Sequence, residues 1–425
     1  MLNSVPWWKT SIIYQIYPIA FKDTTGSGSG DLPGITSSVD YLKELGIGAV
    51  WINPFYVSPM VDFGYDVKDF RNIDPLFGDL NDFDVMLREL HKKDIKLILD
   101  FIPNHSSDQH EWFQKSLKKV DPFTDYYVWE QPNGFNETGH PIPPNNWLSV
   151  FGGSAWEWSE EREEFYLHHF FKEQPDLNVR NPLVMKELDD AMRFWLERGV
   201  DGFRMDALKF LFETEDMNID EPMSLISDDL DPSEYEFLNH TYTVNQPETF
   251  EALQRWRKVL DEFKDRRVLI GEVYDDNIEE ITKYYGTPET PLVHFPFNFN
   301  LITKLQNRTD VTGVTLKEIS EDWIDNMPFE DCWPNWVLGN HDRRRVASKF
   351  GSDLVDALNM FIMLLPGTPT TYYGEEIGME DTFISYDDVK DTFALKFGPE
   401  RYTEYGRDPQ RTPMQWDDNI NAGEC

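Results

Sequence analysis

Eight short apolar runs recur along this chain, separated by stretches of helical period. The runs are SIIYQIYP, GAVWINP, KLILDFIP, GFRMDA, RVLIGEVY, LVHFPFNF, PNWVLGNHD and TPTTYYGEE. Between them lie patterns such as VDYLKELG, FDVMLRELHKKD, ELDDAMRFWLERG and ETFEALQRWRKVLDEFKD, with apolar residues at helical spacing. Alternation of this kind makes the strands parallel, because each helix returns the chain to the same end of the sheet. Eight such units predict an α/β fold, a closed (β/α)8 barrel of the TIM type. A length of 425 residues exceeds an ordinary domain and suits a barrel that carries insertions.

The alternation breaks once, between Pro103 and about Val179, in a segment rich in Asn, Pro, Gly, Ser and aromatics (PNGFNETGHPIPPNNWLSVFGGSAWEW). It reads as a loop-rich subdomain inserted after the third strand. The expected division is barrel over 1–103, insert over 104–178 and barrel again over 179–425. Two more irregular regions, 213–246 and 380–410, follow the fourth and eighth strands. Loops at the carboxyl ends of barrel strands build active-site walls.

Charge narrows the ligand. The chain has 77 acidic and 39 basic residues, a net charge of −38, which repels nucleic acid and anionic membrane surfaces. A small neutral or cationic ligand is expected, although an acidic surface also serves solubility alone. The opening MLNSVPWWKTSIIYQIYP lacks the apolar core of a signal peptide, and no later run is long enough to span a bilayer. Cys332 and Cys425 are the only cysteines. They are too few for a disulfide scaffold, and either one bridge or two separate thiols fits. Sequons at Asn136, Asn239 and Asn307 would suit a secreted glycoprotein.

Several runs end in residues that a purely structural core would not use. The third ends in Asp100, Asn104 and His105, the fifth in Glu272, and the seventh in Asn340, His341 and Asp342. The fourth carries Arg204 and Asp206, two apart and so on one face of a strand. A buried pair of this kind barely repays its desolvation, so its reason is sought outside stability. Any one of these residues could be a cap or a satisfied core polar group; four strand ends on one face argue for chemistry. With no G-x-S-x-G elbow and no phosphate loop, clustered carboxylates suit glycoside hydrolysis, where one attacks and another donates a proton. Aromatics, 15% of residues, suit stacking on sugar rings, though most belong to the core.

In their order, DFIPNHSS, GFRMDALKF, GEVY and VLGNHD resemble the four signature segments of the α-amylase superfamily. QPDLN at 174–178, NNWLSVFGGSAW and RTPMQWD are similar to its maltase and α-glucosidase branch, insect maltases included. The resemblance spans essentially the whole chain. It implies a retaining, exo-acting α-glucosidase with Asp206 as nucleophile, Glu272 as general acid/base and Asp342 as the third carboxylate. It further implies that His105 and His341 bond hydroxyls of the sugar, and that Asp62 and Tyr65 close the blind end of the pocket with help from Arg411. Arg204 is expected to keep Asp206 ionised, while neighbouring anions and enclosure keep Glu272 protonated. Ala207, where α-1,6 enzymes of this branch tend to carry valine, favours α-1,4 substrates such as maltose or sucrose-like glucosides; the alternative is that it packs behind the strand.

Calcium is implied at two places with opposite expectations. The loop Asp23 to Asp31 is placed like a calcium loop of relatives, but Thr25 and Ser27 stand at its middle ligand positions, so it is expected to hold none. Asn104, Asp176 and Glu213, with the carbonyls of Phe210 and Leu211, match a calcium site of some relatives; simple loop capping is the other reading. No organic cofactor is implied. Alternative roles in the superfamily are transporter-associated or membrane-attached receptor proteins, and transglycosylases or sucrose isomerases with the same active-site residues. The barrel is normally followed by an antiparallel β domain, which the sequence ending at Cys425 is expected to lack or truncate, leaving a membrane anchor or receptor role through that end open. The expected location is extracellular, secreted or attached to the outer cell surface.

Overall fold

A computed structural model describes residues 5–423. The eight apolar runs form the strands β1 (Ile13–Ile16), β2 (Ala49–Ile52), β3 (Lys96–Phe101), β4 (Gly202–Met205), β5 (Val268–Gly271), β6 (Phe295–Pro296), β7 (Asn335–Val337) and β8 (Thr368–Tyr372). They make one eight-stranded sheet in the order β6-β5-β4-β3-β2-β1-β8-β7, with neighbouring strands parallel throughout. That order wraps the sheet into a nearly closed barrel, with its seam between β6 and β7. β6 is two residues long although its apolar run is longer, in keeping with Pro296, which has no N–H to give a ladder.

Side chains alternate between two cores. Phe203, Met205, Leu97, Leu99, Val50 and Ile52 join the layer under the surrounding helices, whereas Ile13, Ala49, Trp51, Ile98, Val268 and Ile270 pack in a second cluster inside the barrel. On β4 this period of two leaves Gly202 and Arg204 facing inward. A Cβ on Gly202 would lie 2.3 Å from the Val268 carbonyl oxygen, so glycine is what lets β4 and β5 approach there.

The outer helices start and stop where local chemistry dictates. α1 (Leu80–Lys92) begins with a capping box between Asp79 and Asp82. α2 (Pro182–Arg198) has Asn181 as its N-cap, Pro182 in its first turn and Gly199 as a left-handed stop. α3 (Glu248–Asp261) buries Leu253, Trp256 and Leu260 against the sheet. The region 380–410, irregular by its sequence, contains α4 (Gly398–Tyr405), a helix whose inward face is only the partly buried Tyr402 and Tyr405, too short a stripe to mark it.

The segment after β3 carries a small antiparallel sheet of Trp129–Glu130, Glu164–Leu167 and Trp156–Ser159, with Glu164–Leu167 in the centre. Val128, Trp147, Trp156, Phe165 and Leu167 give it a core of its own. It is tied back to the barrel by bridges between His105 and Asp176 and between Tyr127 and Leu177. In the loop after β1, Asp23 accepts the N–H groups of Thr25, Gly26 and Gly28, and Asp31 accepts those of Thr24 and Gly34. Among the described residues no helix is long and apolar enough to cross a membrane. Cys332 is partly buried, and Cys425 lies outside the described residues.

Candidate active site

Arg204 is the centre of the site. It is 1% exposed, and three carboxylates surround it: Nη1 donates to Asp100 Oδ1 at 2.7 Å and to Asp206 Oδ1 at 2.5 Å, and Nη2 lies 2.5 Å from Glu272 Oε1. The ladder produces this arrangement. Asp100 and Arg204 are register partners on β3 and β4, and the Asp206 and Glu272 N–H groups continue the pattern by donating to the Phe101 and Met205 carbonyls. The guanidinium also faces the ring of Trp51, 5.1 Å from its centre. Glu272 Oε2 accepts the N–H of Ala207 at 2.9 Å. Ala207 itself sits just after β4 at φ +54°, in the left-handed region that non-glycine residues seldom occupy.

Asp342 stands beside this group with two arginines and a histidine of its own. Arg411 Nη2 donates to Asp342 Oδ1 at 2.8 Å, Arg407 Nη1 lies 3.9 Å away, and His341 Nε2 is 3.3 Å from Oδ2. Tyr65 links the two halves: its hydroxyl bonds Asp100 Oδ2 at 3.0 Å and His341 Nε2 at 2.7 Å, and its ring stacks on His341. Gln174 Nε2 reaches both Asp62 Oδ2 (3.2 Å) and His105 Nε2 (3.1 Å). Arg407 Nη2 holds Asp62 Oδ1 at 2.9 Å and Asp391 Oδ1 at 2.8 Å. The structure thus gathers Asp62, Tyr65, His105, Arg204, Asp206, Glu272, His341, Asp342 and Arg411 into one network of hydrogen bonds and ion pairs.

Electrostatics separates the carboxylates. Burial pushes the Asp206 carboxyl up and Glu272 adds to it, against the pull of Arg204, so it lies well above the usual range. Arg204 does pull Asp206 down, as expected, but one guanidinium shared by three carboxylates does not outweigh burial and the charge of Glu272. Burial likewise pushes Asp100 to about 6, despite Arg204. Asp342 goes the other way, because His341, Arg411 and Arg407 overcome its burial and hold it well below the ordinary range. Burial lowers His341 to about 3 and His105 to about 4, so both rings are neutral hydrogen-bonding groups near neutral pH.

The sequence reading assigned no role to Asp100, Arg407 or Gln174. Gln174 opens the QPDLN segment, and Arg407 lies four residues before Arg411, so signals existed, but neither shows which carboxylate it serves.

The calcium candidates meet where the insert joins the loop after β4. Asn104 Nδ2 donates to Asp176 Oδ1 at 3.1 Å, and Arg180 Nη1 donates to Glu213 Oε1 at 2.6 Å. The other Asp176 oxygen pairs with His169 Nδ1. Oxygen donors of these types suit calcium. His169 and Arg180 already satisfy two of them, so an ion has to displace both contacts. Among the described residues no group of three or more His, Cys, Asp or Glu is arranged to hold a metal.

A parallel eight-stranded barrel with paired carboxylates at the carboxyl ends of β4 and β5, and no thiol or phosphate loop among its site groups, defines a glycoside hydrolase. The profile described as "Alpha amylase, catalytic domain" matches residues 15–424, and the chain belongs to that family. It is 46% identical to the salivary alpha-glucosidase of Anopheles gambiae, over 98% of this chain and 70% of that protein. It is also 46% identical to Maltase 1 of Drosophila virilis, over 99% of this chain and 66% of that protein. Among solved structures it resembles the alpha-glucosyl transfer enzyme XgtA, with a TM-score of 0.88 and 37% identity over 99% of this chain and 77% of the other.

Proposed function

We propose that this protein is a maltase-like, retaining α-glucosidase that releases terminal glucose from short α-1,4-glucosides outside the cell. The observation that carries the proposal is the Arg204 fork, which holds Asp206 and Glu272 on its two terminal nitrogens beside Asp342. A fork of that size suits the ~5–5.5 Å separation of a retaining pair rather than the ~6.5–9.5 Å that leaves room for a water. Asp206 attacks the anomeric carbon while Glu272 passes its proton to the departing oxygen. Glu272 then takes a proton from water, which displaces Asp206 from the sugar. Asp342, ionised, accepts from sugar hydroxyls and faces the positive charge that develops on the ring. The neutral His105 and His341 orient the same ring, and the Asp62–Arg407 pair closes the pocket behind it, which sets an exo mode.

The productive state has one proton on the Asp206–Glu272 pair, located on Glu272. The two successive deprotonations of such a pair bound a bell-shaped pH profile. The salivary relative and the sequons favour the extracellular location.

Ala207 sets the linkage test. Valine at φ +54° is a backbone outlier, and its extra methyls would enter the site beside Glu272. The expected result is faster hydrolysis of maltose than of isomaltose by the wild type, with Ala207→Val lowering maltose turnover more than isomaltose turnover. Equal or reversed wild-type rates would sink the α-1,4 assignment. The product mixture at high maltose tests the second reading, glucosyl transfer, which the likeness to XgtA favours; transferred glucosyl units in oligosaccharides approaching one for each glucose released would establish it, whereas hydrolysis gives two glucose per maltose and no oligosaccharide.

Calcium enters as a structural proposal only. Asn104, Asp176, Glu213 and the Phe210 and Leu211 carbonyls would hold it, and it would clamp the insert to the loop after β4. Added calcium is expected to raise the unfolding temperature of chelator-treated protein, and less than one tightly held ion per chain after dialysis would count against the site.

A further inference from the structure

On the opposite face of the barrel, where β3, β4 and β5 begin, lies a cavity of about 600 Å³ lined by cationic side chains. Lys96 is the first residue of β3, and Asp201 and Arg267 immediately precede β4 and β5. His91 comes from the last turn of α1, and Lys264 from the segment between α3 and β5. We propose that this cavity binds a phosphate group, either as inorganic phosphate or as part of a small phosphate ester.

Local charge carries the argument. Four Lys and Arg side chains of the lining (Lys96, Lys264, Arg266 and Arg267) face two acidic ones, Asp201 and Asp265, in a chain whose net charge is −38. The lining is therefore net cationic on an acidic protein. The simpler explanation is that the cations serve Asp201, which is 1% exposed, and the helix carbonyl ends nearby. It accounts for His91, Lys96 and Arg267, which lie 2.6, 3.1 and 3.2 Å from Asp201. It does not account for Lys264, which makes no ion pair with another described residue, or for the Nε of Arg267, buried without a partner. Asp265 offsets little, since its carboxylate is 81% exposed and 3.8 Å from Arg267.

Phosphate suits this lining better than a carboxylate does. It carries up to two charges, matches an arginine fork with two oxygens and leaves others for a lysine point charge. The acidity of the rest of the molecule does not forbid it, because at physiological salt exposed charges beyond about 8 Å are largely screened.

Titration calorimetry on the whole chain tests the site, with sodium phosphate and glycerol 3-phosphate as probes and sodium chloride at matched ionic strength as the control. Saturable one-to-one binding is expected, unchanged when an iminosugar fills the active site and weakened roughly 10-fold by Lys264→Glu, an exposed position whose reversal puts a like charge against the anion. Binding of both probes would assign the site to a phosphate group in general; binding of phosphate alone or of the ester alone would assign it to that one source. Absence of saturable heat with both probes, or binding indifferent to Lys264→Glu, would overturn the proposal.

Discussion

Asp206→Gly and Glu272→Ala are expected to leave folded proteins that hydrolyse maltose roughly 10⁴-fold or more slowly, the scale on which removal of a covalent nucleophile is felt. With azide and an α-glucoside bearing a good leaving group, the two variants should differ in product. In Asp206→Gly the azide takes the place of the missing carboxylate and attacks the anomeric carbon once, giving a β-glucosyl azide. In Glu272→Ala, Asp206 still forms the glucosyl-enzyme, because a good leaving group needs no proton. The small azide then enters without a base and displaces Asp206, giving the α-glucosyl azide. Opposite anomers thus assign nucleophile and acid/base separately, and the circular dichroism of each variant establishes that its fold is kept. The same anomer from both, or substantial maltase activity in Asp206→Gly, would break the assignment.

The eight strands were legible because parallel barrel strands are buried on both faces and read as continuous apolar runs. The inward direction of Arg204 and Asp206 was legible for a similar reason, since strand alternation puts residues two apart on one face. What the local sequence could not supply is the count of charges in space. Reading GFRMD suggests one arginine for one aspartate, whereas Asp100 arrives from β3 and Glu272 from β5, so a single cation serves three carboxylates and the direction of the Asp206 shift reverses. Arg407 was missed on the same grounds. Its partner Asp62 lies 345 residues away, and only the folded chain brings the loop after β8 against the one after β2. α4 was missed for a different reason: its inward face is only Tyr402 and Tyr405, both partly buried, and two residues are too few to establish a period.

The largest effect on stability is expected from Arg204→Met. Methionine fills part of the same space but leaves Asp100, Asp206 and Glu272 without their shared cation, in a site where Arg204 is 1% exposed. Removing one partner of a buried ion pair typically costs about 3–5 kcal/mol, because the remaining charge stays buried and uncompensated. The loss should depend on pH in a defined direction. Burial already raises Asp100 and Asp206 above their unfolded values, and without Arg204 these carboxyls move higher still. For carboxyls whose folded pKa is raised, the folded state takes up protons that the unfolded chain has released, so the stability they allow is fully present below the unfolded values, near 4, and is lost as pH rises through the folded ones. Urea midpoints should therefore show Arg204→Met far below the wild type at pH 7 and closer to it at pH 5. An equal deficit at both values would mean that the arginine stabilises through its packing on Trp51, and that the three carboxylates are neutralised by some other route.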